Sequence, residues 1–405
     1  MNGPGTLRPP DPEERAARLR RELAARAGAE TAEVRVVRAP YRICPVGAHV
    51  DHQFGPVCAL ALEHALLLAW LPVDEPWITL ASRDFPGTVR FRADAPFLPR
   101  GDWGDHARGA VAALAARGAL RGGLLGLVDG AFNEAGLSSS AAVGIAYLLA
   151  LAARSGLTLD DEALIRTQGR IEQEFLGLAN GLLDPAAIVL AAPDALLRLD
   201  TRTLAYSRVR AASPPGFAFL AVSCGLREPL VGGSRFNARV AECREAARLL
   251  AERCAFPTPA PRLGDLPREA LALHGPGLPA PLARRVRHFL TETGRVDAAL
   301  AAWERSDGAA FGEAMRASAR SSIDDYETGC PPMVDLLRIL DALPGVHGAR
   351  FSGAGHRGCC VALVDASEAE PLAREALARY ARLRPELAAE TFALASAPAA
   401  GAGAL

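Results

Sequence analysis

Lysine is absent from this chain of 405 residues, and all 45 of its basic side chains are arginine. A Walker-type phosphate loop and the strand lysine of protein kinases both depend on a Lys ammonium, and Schiff-base chemistry depends on its amine. None of the three operates here, so cationic help to a transferring phosphoryl group has to come from Arg, Mg²⁺ or backbone amides. Net charge is nearly absent too, at −1 with His neutral, which leaves no electrostatic footprint for nucleic acid or an anionic membrane. A small-molecule partner is expected. The start lacks a basic n-region followed by an apolar h-region; residues 13–26 (EERAARLRRELAAR) read instead as a solvated amphipathic helix. Long apolar runs are missing as well, because the best of them, residues 57–71, is interrupted by Glu63 and His64. The eight cysteines (Cys44, Cys58, Cys224, Cys243, Cys254, Cys330, Cys359 and Cys360) show no C-x-x-C spacing. A reduced, cytoplasmic protein without a Cys/His metal centre is the expectation.

What the chain does have is three glycine-rich segments: RAPYRICPVGAHVDHQFG (38–55), EAGLSSSAAVG (134–144) and RFSGAGHRGCCVALV (350–364). The middle one runs from a loop into an apolar helix, so hydroxyls and free backbone N–H groups meet at a helix N-terminus, which suits an anion such as a nucleotide phosphate. There Gly136 permits a positive φ, Ser138 is placed to cap the helix, and Ser139 and Ser140 offer hydroxyls to phosphate or Mg²⁺. Taken alone, GLSSSAA is equally an ordinary Ser-capped helix start.

The length suits two or three core-sized units, and half the residues are apolar. Strand patterns at 33–37, 57–71, 77–82 and 87–92 precede helix patterns at 105–118, 138–155 and 164–176. Short extended segments at 194–199 and 206–209 follow, then a buried-looking strand at 217–222 and a helix at 237–254. Residues 257–281 read as a Pro/Gly loop with one short helix; helices at 281–293, 294–321 and 333–342 lead to strands at 348–352 and 359–364, a helix at 370–382 and a last strand at 390–394. The Ala/Pro/Gly tail from about 395 is expected to be disordered. Strands and helices mix without strict alternation, which predicts α+β rather than a doubly wound sheet. Domains of 1–204 and 205–405 divide the first two glycine-rich segments from the third, with the active site between them.

Two carboxylates stand downstream of the middle segment, Glu172 on a predicted helix and Asp184 after a Gly turn. A hard cation takes one or two carboxylates plus phosphate oxygens, and a hydroxyl nucleophile needs a carboxylate within hydrogen-bond reach. In the first segment Arg42, His49, Asp51 and His52 lie among apolar residues, a composition suited to a sugar pocket; a core His satisfied by its neighbours is the plainer alternative for His49.

In order and spacing the set resembles the galactokinase branch of the GHMP small-molecule kinases, over nearly the whole chain. Galactokinases carry a sequence similar to A-P-G-R-V-N-L-I-G-E-H-T-D-Y near the start, G-L-S-S-S-A in the middle and G-G-G-x-G-G-C near the end; SSIDDYETGCPPMVDLL (321–337) also resembles the family's segment before the third motif. The resemblance implies an α+β, two-domain GHMP kinase fold with an N-terminal α+β domain and a ferredoxin-like C-terminal domain. It implies ATP and Mg²⁺ as cofactors, with Arg42 and Asp184 at the reacting hydroxyl and Ser140 and Glu172 on Mg²⁺. The nucleotide would be embraced by Gly136, Leu137, Ser138, Ser139, Ser140 and Ala141 in the loop 130–141 and by Gly353 and Gly355 in the loop 353–358. His49 and Asp51 would bind sugar hydroxyls, with the backbone of Asn180 and Gly181 beside them.

Departures from the pattern point to the substrate. Ala48 stands where galactokinases have a Glu facing the sugar's C6 hydroxyl, and PYRICPVGAHVDHQ is very similar to the P-Y-R-I-C-P-L-G-A-H-I-D-H-Q of galacturonokinases, the nearest part of the branch. A C6 carboxylate about 4 Å from that Glu would be repelled by roughly 4 kcal/mol at an effective dielectric near 20. Other departures are Pro185 for a usual Gln, Phe236 for a sugar-contacting Tyr, and NEAG (133–136) for a more glycine-rich run. The expected activity is an ATP- and Mg²⁺-dependent 1-kinase for D-galacturonate, in a protein that binds no nucleic acid or membrane; the sequence leaves its oligomeric state open, with a monomer favoured. Galactose, glucuronate or arabinose as substrate, or a sugar and ATP sensor, are the alternatives; joint retention of Arg42, Glu172 and Asp184 favours the enzyme.

Overall fold

A computed structural model describes residues 6–7, 11–118, 120–130, 136–212, 216–226 and 235–405. The first half runs β1 (Thr6–Leu7), α1 (Pro12–Ala27), β2 (Arg35–Val46), β3 (Pro56–Val73), β4 (Trp77–Ser82), β5 (Thr88–Arg92), α2 (Asp105–Ala115) and β6 (Gly123–Asp129). It continues through α3 (Ser139–Ser155), α4 (Asp161–Arg170), α5 (Leu183–Leu190), β7 (Ala195–Asp200) and β8 (Tyr206–Arg210). The second half holds β9 (Phe217–Ser223), α6 (Arg235–Arg253), α7 (Arg268–His274), α8 (Ala280–Glu304), α9 (Gly308–Asp324) and α10 (Pro331–Asp341). It ends with β10 (Val346–Phe351), β11 (Cys359–Asp365), α11 (Ala369–Leu383), β12 (Ala393–Ser396) and β13 (Gly403–Ala404).

Among the described residues, eight strands form one sheet in the order β13-β2-β3-β6-β4-β5, with β7 also on β3 and β8 on β7; five form another, β1-β12-β9-β11-β10. The central strand β3 shows why residues 57–71 lack a polar alternation. Leu66, Leu68 and Trp70 join the core under α3, while Leu67, Ala69 and Leu71 join a second cluster with Leu19 and Leu23 of α1. Side chains alternate faces along a strand, so a sheet covered on both faces reads as a continuous apolar run. The second sheet does the same: Phe219 and Ala221 pack with Trp303 and Phe311, and Ala218, Leu220 and Val222 pack with Leu336, Leu340 and Tyr380.

Three local outcomes differ from expectation. First, the tail from about 395 is ordered, not disordered: Ala399 N–H donates to the Ala61 carbonyl at 2.9 Å, Ala402 N–H to Ile188 at 2.8 Å and Leu405 N–H to Val36 at 3.0 Å. Its small residues serve close approach, since a Cβ on Gly401 would lie 2.4 Å from the Val189 carbonyl oxygen. Second, the helix patterns at 281–293 and 294–321 are divided elsewhere. Gly294 stays inside α8, and the break falls at Arg305–Asp307, where the Asp307 side chain caps α9 by accepting from Ala310 N–H at 3.0 Å. Third, β8 completes a hairpin with β7, so the chain passes between sheets after Arg210, a few residues beyond position 205.

Candidate active site

The end of β2 delivers Arg42 to a buried position, and the turn that follows is tight. Gly47 has φ 96° and His49 has φ 60°, and a Cβ on Gly47 would come within 2.7 Å of Val57 Cα. Just before α3, the Leu137 carbonyl accepts Arg42 N–H at 3.1 Å, tying the first glycine-rich segment to the second. The third segment closes on the second backbone to backbone. Cβ atoms on Gly136 and Gly353 would meet Gly358 Cα and the Gly136 carbonyl, each at 3.1 Å. Gly353 and Gly355 take φ 71° and 78°, conformations that suit glycine. Ser352 locks the junction, its Oγ donating to the Gly136 carbonyl at 3.0 Å and accepting from Arg42 Nη1 at 3.4 Å.

Asp184 sits in the first turn of α5. This short helix is not among those the sequence pattern predicts, and its first-turn Pro185 gives up no helical hydrogen bond. Its Oδ1 accepts from Arg42 Nε at 2.7 Å and its Oδ2 from Ser138 Oγ. Burial works against the Arg42 charge, and the ion pair with Asp184 more than restores it, raising its pKa above the ordinary value. Ser138 therefore differs from its expected capping role: it occupies the N-cap position at φ 60°, and its hydroxyl turns to Asp184 instead of the helix. The first turn of α3 has no acidic residue and Ser138 makes no side-chain cap bond to it, an arrangement that suits an anion at the helix N-terminus. Residues 131–135, including most of the NEAG run, lie outside the described residues.

Glu172 lies in a π-helical turn, Ile171–Phe175, that continues α4. It is fully buried, and burial, followed by the nearby Asp184 charge, pushes its carboxyl up to about 7. Ser140 Oγ donates to its Oε1 at 3.5 Å, and Asn180 Nδ2 to its Oε2 at 3.1 Å. A buried carboxylate this reluctant to ionise, with a hydroxyl oxygen beside it, fits a hard divalent cation whose remaining ligands are phosphate oxygens. Asn180 was expected on the sugar side through its backbone; its side chain serves Glu172, and its carbonyl already accepts from Gln173 Nε2 at 2.6 Å.

Gly181 does lie against Asp51, where a Cβ would sit 2.3 Å from Oδ2. Burial and then the Asp184 charge push the Asp51 carboxyl up to about 6. His49 Nε2 donates to the Gly353 carbonyl at 3.2 Å, and its buried Nδ1 has no hydrogen-bond partner among the described residues, an acceptor suited to a hydroxyl. Its ring stacks on Tyr326 at 4.3 Å, while Tyr326 Oη meets His52 Nε2 at 3.0 Å. Phe236, on α6, packs edge-on to His52 at 6.0 Å. Ala48 is buried with both of its backbone groups bonded to α8: its N–H to Glu292 Oε1 at 3.2 Å and its carbonyl to His288 Nε2 at 3.0 Å.

Sequence reading missed Ser352, Tyr326, His288 and Glu292. The first two stood inside segments already singled out, whereas His288 and Glu292, four apart, look like the polar face of an exposed helix. No helix among the described residues is long and apolar enough to cross a membrane.

The GHMP kinases N terminal domain matches residues 106–192, and GHMP kinases C terminal matches residues 298–382. A galacturonokinase of Arabidopsis thaliana is 39% identical over 391 residues, covering 91% of this chain and 92% of the relative. A galactokinase of Halalkalibacterium halodurans is 33% identical over 339 residues, covering 83% and 85%. Among solved structures, Lactococcus lactis galactokinase complexed with galactose superposes with a TM-score of 0.86 at 25% identity, over 96% of this chain and 99% of that one. Methanococcus jannaschii mevalonate kinase shares the fold, with a TM-score of 0.62 at 14% identity over 90% and 98%. The chain belongs to the GHMP kinase family and is a sugar kinase of the galactokinase and galacturonokinase type, a phosphotransferase with an alcohol group as acceptor.

Proposed function

We propose that this kinase phosphorylates the anomeric hydroxyl of D-galacturonate with ATP to give galacturonate 1-phosphate. Ala48 carries the substrate assignment: the buried wall that in galactokinases presents a Glu to C6 ends here in a methyl group. Removing that carboxylate removes a repulsion against a C6 carboxylate. Asp184 takes the proton of the C1 hydroxyl, with its carboxylate aimed by Arg42 on one oxygen and Ser138 on the other. Arg42 then faces the negative charge that develops on the attacking oxygen. Asp51, Gly181 and the Nδ1 of His49 orient the ring hydroxyls. The first turn of α3 and the loop at Gly353–Gly355 bind phosphates through backbone N–H groups. Ser140 and Glu172 would hold Mg²⁺, which when bound neutralises phosphate charge.

A coupled ADP-release assay over galacturonate, galactose, glucuronate and arabinose tests the assignment. Galacturonate is expected to give the highest kcat/KM; galactose in first place would return the protein to galactokinase activity.

Two further outcomes follow from the geometry. A cation at Glu172 must displace the proton that burial favours, so apparent Mg²⁺ affinity should rise about tenfold from pH 6 to pH 8 as the carboxyl ionises through about 7. Kinetic Mg²⁺ titrations at several pH values check this, and the slope should vanish in Glu172→Gln. A slope that survives the substitution belongs to another group. Ser138→Ala should lower kcat about tenfold with sugar KM nearly unchanged, because a charge-assisted hydrogen bond to the base is lost. Ser138→Gly, which also relaxes the positive φ, should fall equally if the hydroxyl is what matters.

A further inference from the structure

Ala48 is held by a helix that none of the glycine-rich segments includes. Along one face of α8, His288, Glu292 and Val296 are spaced four apart, and all three meet the turn at 47–49. Glu292 Oε1 accepts the successive N–H groups of Gly47 at 2.8 Å and Ala48 at 3.2 Å, so a side-chain carboxylate fills a backbone anion nest. His288 Nε2 donates to the Ala48 carbonyl at 3.0 Å, and its Nδ1 is bonded to Ser321 Oγ at 2.9 Å. Val296 Cγ2 closes on Gly47.

The rest of the carboxylate's bonding ties this turn to the nucleotide side. Glu292 is fully buried, accepting from Ser318 Oγ at 2.5 Å and Arg295 Nη1 at 2.6 Å, with Arg350 Nη1 at 3.7 Å. Arg350 in turn donates to Ser318 Oγ at 2.8 Å and to the Phe351 carbonyl at 2.7 Å, at the entry to the third glycine-rich loop. Burial works to raise the Glu292 carboxyl, and the positive neighbours and hydrogen bond outweigh it, holding it below its ordinary value. The turn needs such support. Residues on either side of Ala48 have positive φ, and for a non-glycine such as His49 that conformation costs about 1–3 kcal/mol unless its surroundings enforce it.

We propose that His288 and Glu292 are positioning residues for sugar specificity: by fixing both peptide groups of Ala48 they set where residue 48 stands relative to C6. The inference rests on the sugar-kinase reading in which position 48 faces C6. A clamp that fixes one wall discriminates between a carboxylate and a hydroxymethyl group at C6; a loosened wall admits both.

His288→Leu removes the donor to Ala48, whereas the amide N–H of His288→Gln can replace it. Six quantities are measured for each variant: kcat and KM for galacturonate and for galactose, KM for ATP, and the melting temperature. His288→Leu is expected to raise sugar KM about tenfold, the loss of one buried hydrogen bond. It should also move the ratio of the two kcat/KM values toward unity by about fivefold or more, with ATP KM within about twofold. His288→Gln should restore most of both, and Glu292→Leu, which removes the acceptor of both N–H groups, should resemble His288→Leu. The proposal is overturned if sugar and ATP KM rise together, if the two sugars lose equally, or if Gln fails to rescue. Should Glu292→Leu not fold, the His288 pair decides alone. The wild-type ratio separately tests the galacturonate assignment. A wild type that prefers galactose sinks that assignment, while convergence in His288→Leu still supports the clamp.

Discussion

Asp184→Asn is expected to lower kcat by about 10²- to 10⁴-fold, the usual cost of removing a general base, while ATP continues to bind. The amide can preserve much of the arrangement: its oxygen accepts from Arg42 Nε, and Ser138 Oγ, now donating to Asp184 Oδ2, can rotate to accept from the amide N–H. It cannot take a proton from C1–OH. Arg42 is buried and loses its ion-pair partner, so some stability goes as well. A melting curve and a calorimetric ATP titration on the same sample therefore accompany the coupled ADP-release assay. A folded, ATP-binding variant with wild-type kcat would take the base role away from Asp184.

How far the sequence carried the site follows from which interactions are local. Gly136, Gly353 and Gly355 could be read because a positive φ and a close backbone approach demand glycine whatever surrounds them. The strand β3 was legible as an apolar run, although the run alone did not say that a helix covers each face. What could not be read were contacts between segments far apart in the chain. Ser138 looked like a cap because local pattern offers only local partners; the hydroxyl goes instead to Asp184, 46 residues later. His288 and Glu292 are 240 and 244 residues from Ala48, and a His and a Glu on a helix read as solvated unless the facing chain is known. The tail misled for a related reason. Ala and Gly signal fraying by composition, but they are also what lets residues 399–405 thread between Ala61, Ile188 and Val36.

These long-range contacts decide what a substitution at position 48 can do. Glu292 already lies against the Ala48 N–H with its charge met by Arg295 and Arg350, so those two cations are already engaged when a second carboxylate is introduced there. In the sugar-kinase reading, where residue 48 faces C6, it would point toward the sugar.

Ala48→Glu is therefore expected to shift preference from galacturonate toward galactose. The new carboxylate can accept a hydrogen bond from a C6 hydroxyl and must confront a C6 carboxylate. At a separation of about 4 Å and an effective dielectric near 20, the repulsion is roughly 4 kcal/mol, close to a thousandfold in relative kcat/KM. Half of it, allowing for solvent and side-chain adjustment, still corresponds to about thirtyfold. The measurement is the ratio of kcat/KM for the two sugars in wild type and variant, with ATP KM as the control for an intact nucleotide site. Because Ala48 is buried, a melting curve distinguishes a folded variant with altered preference from a destabilised one. A ratio unchanged in a folded variant would mean that residue 48 does not face C6, and the galacturonate assignment would lose its main support while the sugar-kinase chemistry at Arg42 and Asp184 stood.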